Sequence, residues 1–338
     1  MASTVLAGET DKLLDVVNAS ESAQAYHHCV YANGHIYLFG LKGAEQNTYS
    51  SYKRTVLLGS YAVDVDLESK TFKQSYFSSI DKAEDRKEHV FALGGQVYMI
   101  TYSEYEMCTF HDLYTWMGGS WKPVALTVES KAKFASGKPR SSCKLSYTVV
   151  GNDSVLLSFS HGGNSSVIFS RLTIAGEGAV ISHLFTVDKL SKGKSGVVFA
   201  GLHDQKLTAV TTSLGCGLRW NSDEVLSVDL KQGNVAYHPT GGERPPWAFN
   251  GPAATYQWND KMLLVGGSRA LGISSVSFSP EIWTLDQGSR NYTKLAVQVP
   301  AEVANFQMCS TFDPDSSQLF FTDLAHGVYR IKLAAEDV

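Results

Sequence analysis

Along most of this chain, apolar and polar residues alternate in short runs, and pairs of Gly, Asn and Asp separate the runs. A period of two residues between tight turns is the mark of half-buried β-strands joined as hairpins. The runs also repeat as a group. The clearest copy begins at Arg244-Pro-Pro, continues through AATYQWNDKMLLVGG (Ala253 to Gly267) and closes with EIWTLDQGSRNYTKL (Glu281 to Leu295). It predicts strand, Asn-Asp turn, strand, Gly-Gly, loop, strand, tight turn and strand.

Four earlier copies follow the same order. They are HHCVYANGHIYLFG with SYAVDVDLESKTFKQ (His27 to Gly40, Ser60 to Gln74), and EHVFALGGQVYMITY with DLYTWMGGSWKPVAL (Glu88 to Tyr102, Asp112 to Leu126). Next come KLSYTVVGNDSVLLSF with SRLTIAGEGAVISHL (Lys144 to Phe159, Ser170 to Leu184), and GVVFAGLHDQKLTAV with EVLSVDLKQGNVAYH (Gly196 to Val210, Glu224 to His238). The apolar residue after each second turn, at Phe72, Trp121, Val180, Val235 and Tyr292, recurs at intervals of about 49, 59, 55 and 57 residues. This spacing suits four-stranded propeller blades. A sixth copy, MCSTFDPDSSQLFFTD with HGVYRIKLA (Met308 to Asp323, His326 to Ala334), supplies three strands. The apolar segment DKLLDVV (Asp11 to Val17) is expected to provide the missing one, because a paired edge does not invite aggregation. The expectation is an all-β, single-domain, six-bladed propeller over residues 1–338, closed by residues 11–17. Its repeats lie near 24–80, 86–128, 142–187, 195–240, 250–298 and 306–338.

Gly266-Gly267 with Trp283, Asp286 and Tyr292 resembles the kelch repeat motif. The double glycine is lost at Gly40-Leu41, and Gly162-Gly163 sits late. The resemblance implies a propeller fold, and among kelch proteins are scaffolds, ubiquitin-ligase adaptors and a few enzymes, so it leaves the activity open.

The formal net charge of -4, with acidic and basic residues interspersed, offers no basic field for nucleic acid. No run of about eighteen apolar residues is present, so no membrane insertion is expected. Five widely spaced cysteines (Cys29, Cys108, Cys143, Cys216 and Cys309) without a CxxC pair read as reduced thiols in the cytoplasm or nucleus. An organelle would be the alternative if a presequence had been removed. On this reading the sequons at Asn18, Asn152, Asn164 and Asn291 carry no sugar.

Turns between first and second strands are short, whereas the second-to-third and repeat-to-repeat connections are long. Long loops on a rigid frame are where binding residues concentrate. Aromatic, Met and basic residues there form the expected partner-binding set: Tyr105, Met107, Trp220, Trp247, Phe249, Arg269 and Phe278, with Lys131, Lys133, Arg140 and Lys192 for an acidic or phosphorylated peptide. Lysines on such loops are also commonly just solvated. A second set lies on the first strands of the repeats, where His28 and His89 occupy matching positions, Cys309 comes near the same level, and Arg86 is close by. These would line a central channel able to take a small ligand.

Gly193-Lys194-Ser195 lacks the leading glycine of a phosphate loop and reads as a linker. Asp313, Asp315 and Asp323 lack the glycine of a calcium loop and read as a turn. No GxSxG elbow is present, and no cofactor or metal is expected. The expected function is a non-enzymatic scaffold binding a protein or peptide on the long-loop face. The alternative is a small-molecule or carbohydrate-binding protein, or a sugar-converting enzyme, using the channel.

Overall fold

The computed structural model describes residues 8–14, 23–42, 61–77, 86–103, 109–132, 143–161, 165–191, 193–213, 219–246, 254–270, 276–305, 308–323 and 327–333. Strands make up nearly all of their regular structure. After β1 (Gly8–Leu14), the first repeat is β2 (Ala23–Ala32), β3 (His35–Lys42), β4 (Tyr61–Asp66) and β5 (Thr71–Tyr76). The second is β6 (Arg86–Leu93), β7 (Gln96–Ser103), β8 (Phe110–Met117) and β9 (Ser120–Val128). The third is β10 (Cys143–Val150), β11 (Ser154–His161), β12 (Ser166–Ala175) and β13 (Gly178–Val187). The fourth is β14 (Lys194–His203), β15 (Lys206–Ser213), β16 (Arg219–Asp229) and β17 (Asn234–Pro239), followed by the two-residue β18 (Gly241–Gly242). The fifth is β19 (Ala254–Trp258), β20 (Lys261–Val265), β23 (Glu281–Asp286) and β24 (Asn291–Gln298), with a small hairpin of β21 (Ser268–Ala270) and β22 (Val276–Phe278) inserted. The last is β25 (Cys309–Asp313), β26 (Gln318–Asp323) and β27 (Gly327–Leu333). Among the described residues no helix is long and apolar enough to cross a membrane.

Local chemistry sets the turns. Asn33-Gly34 and Gly94-Gly95 both take positive φ, the geometry of a two-residue hairpin turn. At the end of the third strand, Asp66, Asp229 and Asp286 each accept backbone N–H groups of the following turn: Glu68 and Ser69, Lys231 and Gln232, and Ser289 respectively. A carboxylate two or three residues before an amide stands in for a carbonyl and fixes the reversal. This is the recurring aspartate of the repeat.

The chain divides into two compact units. One comprises Met1–Tyr102, His111–Val124 and Val299–Val338; the other comprises Ser103–Phe110 and Ala125–Gln298. In the first unit, β1 pairs antiparallel with β27, Asp11 opposite Arg330, giving the sheet order β1-β27-β26-β25. The segment expected to complete this sheet therefore does so over Gly8–Leu14, while residues 15–17 lie outside the described residues. Asp11 also receives a hydrogen bond from the Arg330 guanidinium.

Each core lies between neighbouring sheets. In the first unit, Ile36, Leu38, Tyr61, Val63 and Val65 of the first repeat pack on Cys309, Phe320 and Val328 of the last. The opposite face, Val30, Ala32, Phe39 and Ala62, packs on Val90, Val97, Met99 and Trp116 of the second. Strand alternation thus gives one sheet two buried faces. In the second unit, Leu156, Val167 and Phe169 meet Val197, Leu207, Leu226 and Val228. There Phe199, Val210 and Val225 meet Met262, Leu264, Trp283 and Tyr292. Two parallel pairings also tie outer segments together within this unit: Ala125–Val128 with Gly178–Ile181, and β18 with Asn291 and Tyr292 of β24.

Candidate functional site

In the second unit, the polar side chains collect where the long connections leave the strands. β10 begins opposite the end of β11, with Cys143 facing His161 and Lys144 facing Ser160. β14 begins opposite the end of β15, where Lys194 faces Ser213 and Gly196 faces Thr212. The register slips between Lys194 and Gly196, so Ser195 is the extra residue of a bulge, a device that re-aims a side chain. Its Oγ lies 3.0 Å from Thr212 Oγ1. Ser160 Oγ accepts the Val197 N–H at 3.0 Å.

A second irregularity supplies the anion. Thr212 pairs with Trp220 and Val210 with Val225, so β16 inserts residues 221–224 against the single Thr211. From that detour Glu224 reaches Lys194, Oε1 to Nζ 2.8 Å. The Lys194 side chain is 8% exposed and that of Glu224 34%. A buried ammonium needs such a partner, and a carboxylate that is partly wet retains acceptor capacity for something else. His161, the neighbour of Ser160 on β11, is buried, and Thr211 Oγ1 is buried with no hydrogen-bond partner among the described residues. The arrangement therefore offers an ammonium, a carboxylate and several hydroxyls, a donor and acceptor set matched to a polyhydroxylated molecule.

The first unit holds a smaller polar set on its inner strands. His28 Nε2 of β2 stands 3.5 Å from Glu88 Oε1 of β6, and Glu88 Oε2 is buried with no hydrogen-bond partner among the described residues. The His89 ring stacks on Tyr102, centroids 5.2 Å apart. Cys309 is on the other side of β2, packed with Cys29 in the core shared by the first and last repeats. The four channel candidates are thus distributed: His28 meets Glu88, His89 meets Tyr102, Cys309 meets Cys29, and Arg86 is described by its backbone position in β6 alone. Burial pushes the Cys29 thiol well above its ordinary value, with Cys309 adding to the effect. The Tyr61 phenol is raised by burial and then by Cys309. Among the described residues no three His, Cys, Asp or Glu side chains gather as a metal site.

Of the expected partner-binding residues, Tyr105, Met107, Lys133, Arg140, Lys192, Trp247 and Phe249 lie outside the described residues. Trp220 and Arg269 are described only by backbone position, in β16 and β21. Lys131 is exposed, and Phe278 is half-buried in β22. Lys194, which the sequence suggested was a linker residue, is instead buried and paired. The expectation of five reduced thiols fails at Cys143, which is disulfide-bonded to a partner outside the described residues. Cys29 and Cys309 are free. Sequence reasoning also passed over Ser160, His161, Ser195, Thr212 and Glu224. Their signal was polar residues at strand ends, and it gains meaning only when the register is known.

No protein-family model and no curated protein matches this sequence. Solved structures share its fold. YjhT superposes with a TM-score of 0.50 at 11% identity, covering 96% of this chain and 98% of YjhT. A Trypanosoma rangeli sialidase, in complex with the inhibitor DANA, superposes with a TM-score of 0.51 at 11% identity, covering 96% of this chain and 59% of the sialidase. The chain thus spans about three fifths of the sialidase's length. At this identity the likeness is one of fold, all-β and propeller-like.

Proposed function

We propose that this chain is a six-bladed, kelch-like propeller that binds a small polyhydroxylated ligand, of the carbohydrate class, at the long-loop ends of its third and fourth repeats. The observation that carries this reading is the Lys194–Glu224 pair, its ammonium buried, set beside Ser195, Thr212 and Ser160. Hydroxyl-rich ligands are held by many directional hydrogen bonds to groups already fixed in place, and these groups are fixed by strand register and by a bulge. A sialidase of the same fold supports the choice of ligand class. The recurring four-stranded repeat and the pairing of β1 with β27 support the blade count and closure.

Saturation-transfer NMR and calorimetry against neutral sugars, uronic acids and sugar acids test the reading. At least one sugar binds, and Thr212→Val weakens it about tenfold, the loss of one to one and a half hydrogen bonds' net worth. Absence of binding across the panel, or affinity untouched by Thr212→Val, refutes the site.

Protein docking is the second reading, and an observation favours it too. Phe72 and Tyr76 stand 44% and 61% exposed on β5, an outer strand, and Met117 is 56% exposed at the end of β8. Exposed aromatic and Met side chains are common anchors for a partner. Affinity capture with wild type and the paired Trp220→Ala, Trp247→Ala variant tests the long-loop face, and Phe72→Ser with Tyr76→Ser tests the strand edge. A stoichiometric protein lost with either pair establishes docking.

A further inference from the structure

The two free thiols sit opposite one another on strands that belong to different sheets. Tyr31 of β2 donates its backbone N–H to Thr311 Oγ1 of β25 at 2.7 Å, a contact between residues 280 positions apart. Two residues earlier on each strand come Cys29 and Cys309, with the same separation. Side chains two apart share a strand face, so the contact that joins Tyr31 to Thr311 also turns the two cysteines towards each other. Both cysteines pack into one apolar cluster shared by the first and last repeats. Stacking of Tyr31 on Phe320, centroids 5.4 Å apart, holds the same pair of sheets in place. Around the thiols, Leu38, Tyr61, Phe320 and Val328 form an apolar wall.

We propose that Cys29 and Cys309 are a reversible redox pair, closing to a disulfide that staples the first repeat to the last. A neutral disulfide suits the apolar wall better than any thiolate. The oxidant is a small disulfide such as oxidised glutathione. Cys29 is half-buried whereas Cys309 is buried, so Cys29 is the attacking thiol. Its sulfur, as thiolate after losing a proton to solvent, displaces one glutathione thiolate and forms a mixed disulfide. Cys309, likewise deprotonated, then attacks the Cys29 sulfur and releases the second glutathione. Two protein thiols are oxidised, one oxidised glutathione is reduced to two thiols, and the two protons end on the glutathione sulfurs. Burial favours the protonated Cys29 thiol, so closure is slower than for an exposed thiol. The link spans far more chain than most disulfides do, and cross-linking distant residues restricts the unfolded state most.

The test uses the full chain in a series of glutathione redox buffers, with thiols blocked by N-ethylmaleimide before digestion and mass spectrometry. The peptide containing Cys29 is expected joined to that containing Cys309 in oxidising buffer and separate in reducing buffer. Thermal unfolding is expected several degrees higher for the oxidised protein. In Cys29→Ser and in Cys309→Ala the difference should fall to the part contributed by the Cys143 disulfide, which both variants keep. Both cysteines found alkylated, or found only as mixed disulfides with glutathione, in the fully oxidised wild type overturns the proposal. That readout needs no variant to fold.

Discussion

The Lys194–Glu224 pair is asymmetric, and the asymmetry yields a quantitative prediction. Glu224→Gln leaves an ammonium whose side chain is 8% exposed without its anion. Removing one member of a buried pair costs about 3–5 kcal/mol, and the one-third exposure of Glu224 lets water soften this to about 2–3 kcal/mol. Lys194→Met removes the charge but keeps most of the apolar stem, and the remaining carboxylate is wet enough to hydrate. Its cost is about 1 kcal/mol. The double variant should resemble Lys194→Met, giving a coupling energy of about 2–3 kcal/mol. Urea unfolding followed in parallel by tryptophan fluorescence and far-UV circular dichroism measures each corner, the agreement of the two probes checking two-state behaviour. A Lys194→Met variant as damaged as Glu224→Gln would refute the reasoning, because it would mean that the ammonium is not the member shielded from water.

Two further outcomes can be checked with ordinary equipment. Gly242 has φ +77, and a Cβ there would stand 2.2 Å from the Tyr292 carbonyl oxygen, so Gly242→Ala should separate β18 from β24 and cost about 2–4 kcal/mol. Gly34 has φ +81 but open space around it, so Gly34→Ala should cost only the backbone strain of about 1 kcal/mol, and equal losses in chemical denaturation would refute the clash. The Arg330 hydrogen bond holds the Asp11 carboxyl below its ordinary value of 3.8. A depressed carboxylate stabilises the fold fully above its unfolded value and stops doing so as pH falls through the folded one. Hydrogen exchange in β1 should therefore quicken below about pH 4 in wild type, and Asp11→Asn should remove that step.

Much of the strand order could be read from turn chemistry. Asn33-Gly34, Gly94-Gly95 and Asn259 occupy left-handed backbone in the places the pattern assigned. Where the pattern offered Asn152-Asp153, the residue with positive φ is Gly151, so the turn is three residues wide, between the paired Val150 and Ser154. Asp204 and Gln205 adopt positive φ without any glycine, which shows that hairpin register can impose a conformation that composition does not favour. The parallel contacts of β9 with β13 and of β18 with β24 were not legible. They join segments that no turn connects, so only packing of the sheets decides them.

The candidate site was less legible for a related reason: its members depend on irregularities. A sequence shows Gly193-Lys194-Ser195 as a short polar connection, but whether Lys194 is solvated depends on where β14 begins and on the residue gained at Ser195. Glu224 reaches it because β16 gains residues 221–224, and period-two alternation cannot reveal an insertion. The thiols show the same dependence in simpler form. His28 and Cys29 are adjacent, so they face opposite sides of β2; one meets Glu88 and the other Cys309. A shift of one residue would exchange the two environments. The odd cysteine count argued for isolated thiols, yet it conceals one disulfide at Cys143 and one facing pair. Counting residues cannot separate those arrangements, whereas the packing that sets Tyr31 on Thr311 also brings Cys29 and Cys309 into one cluster. If the glutathione titration closes that pair, the redox chemistry of this fold follows from strand register and not from cysteine number.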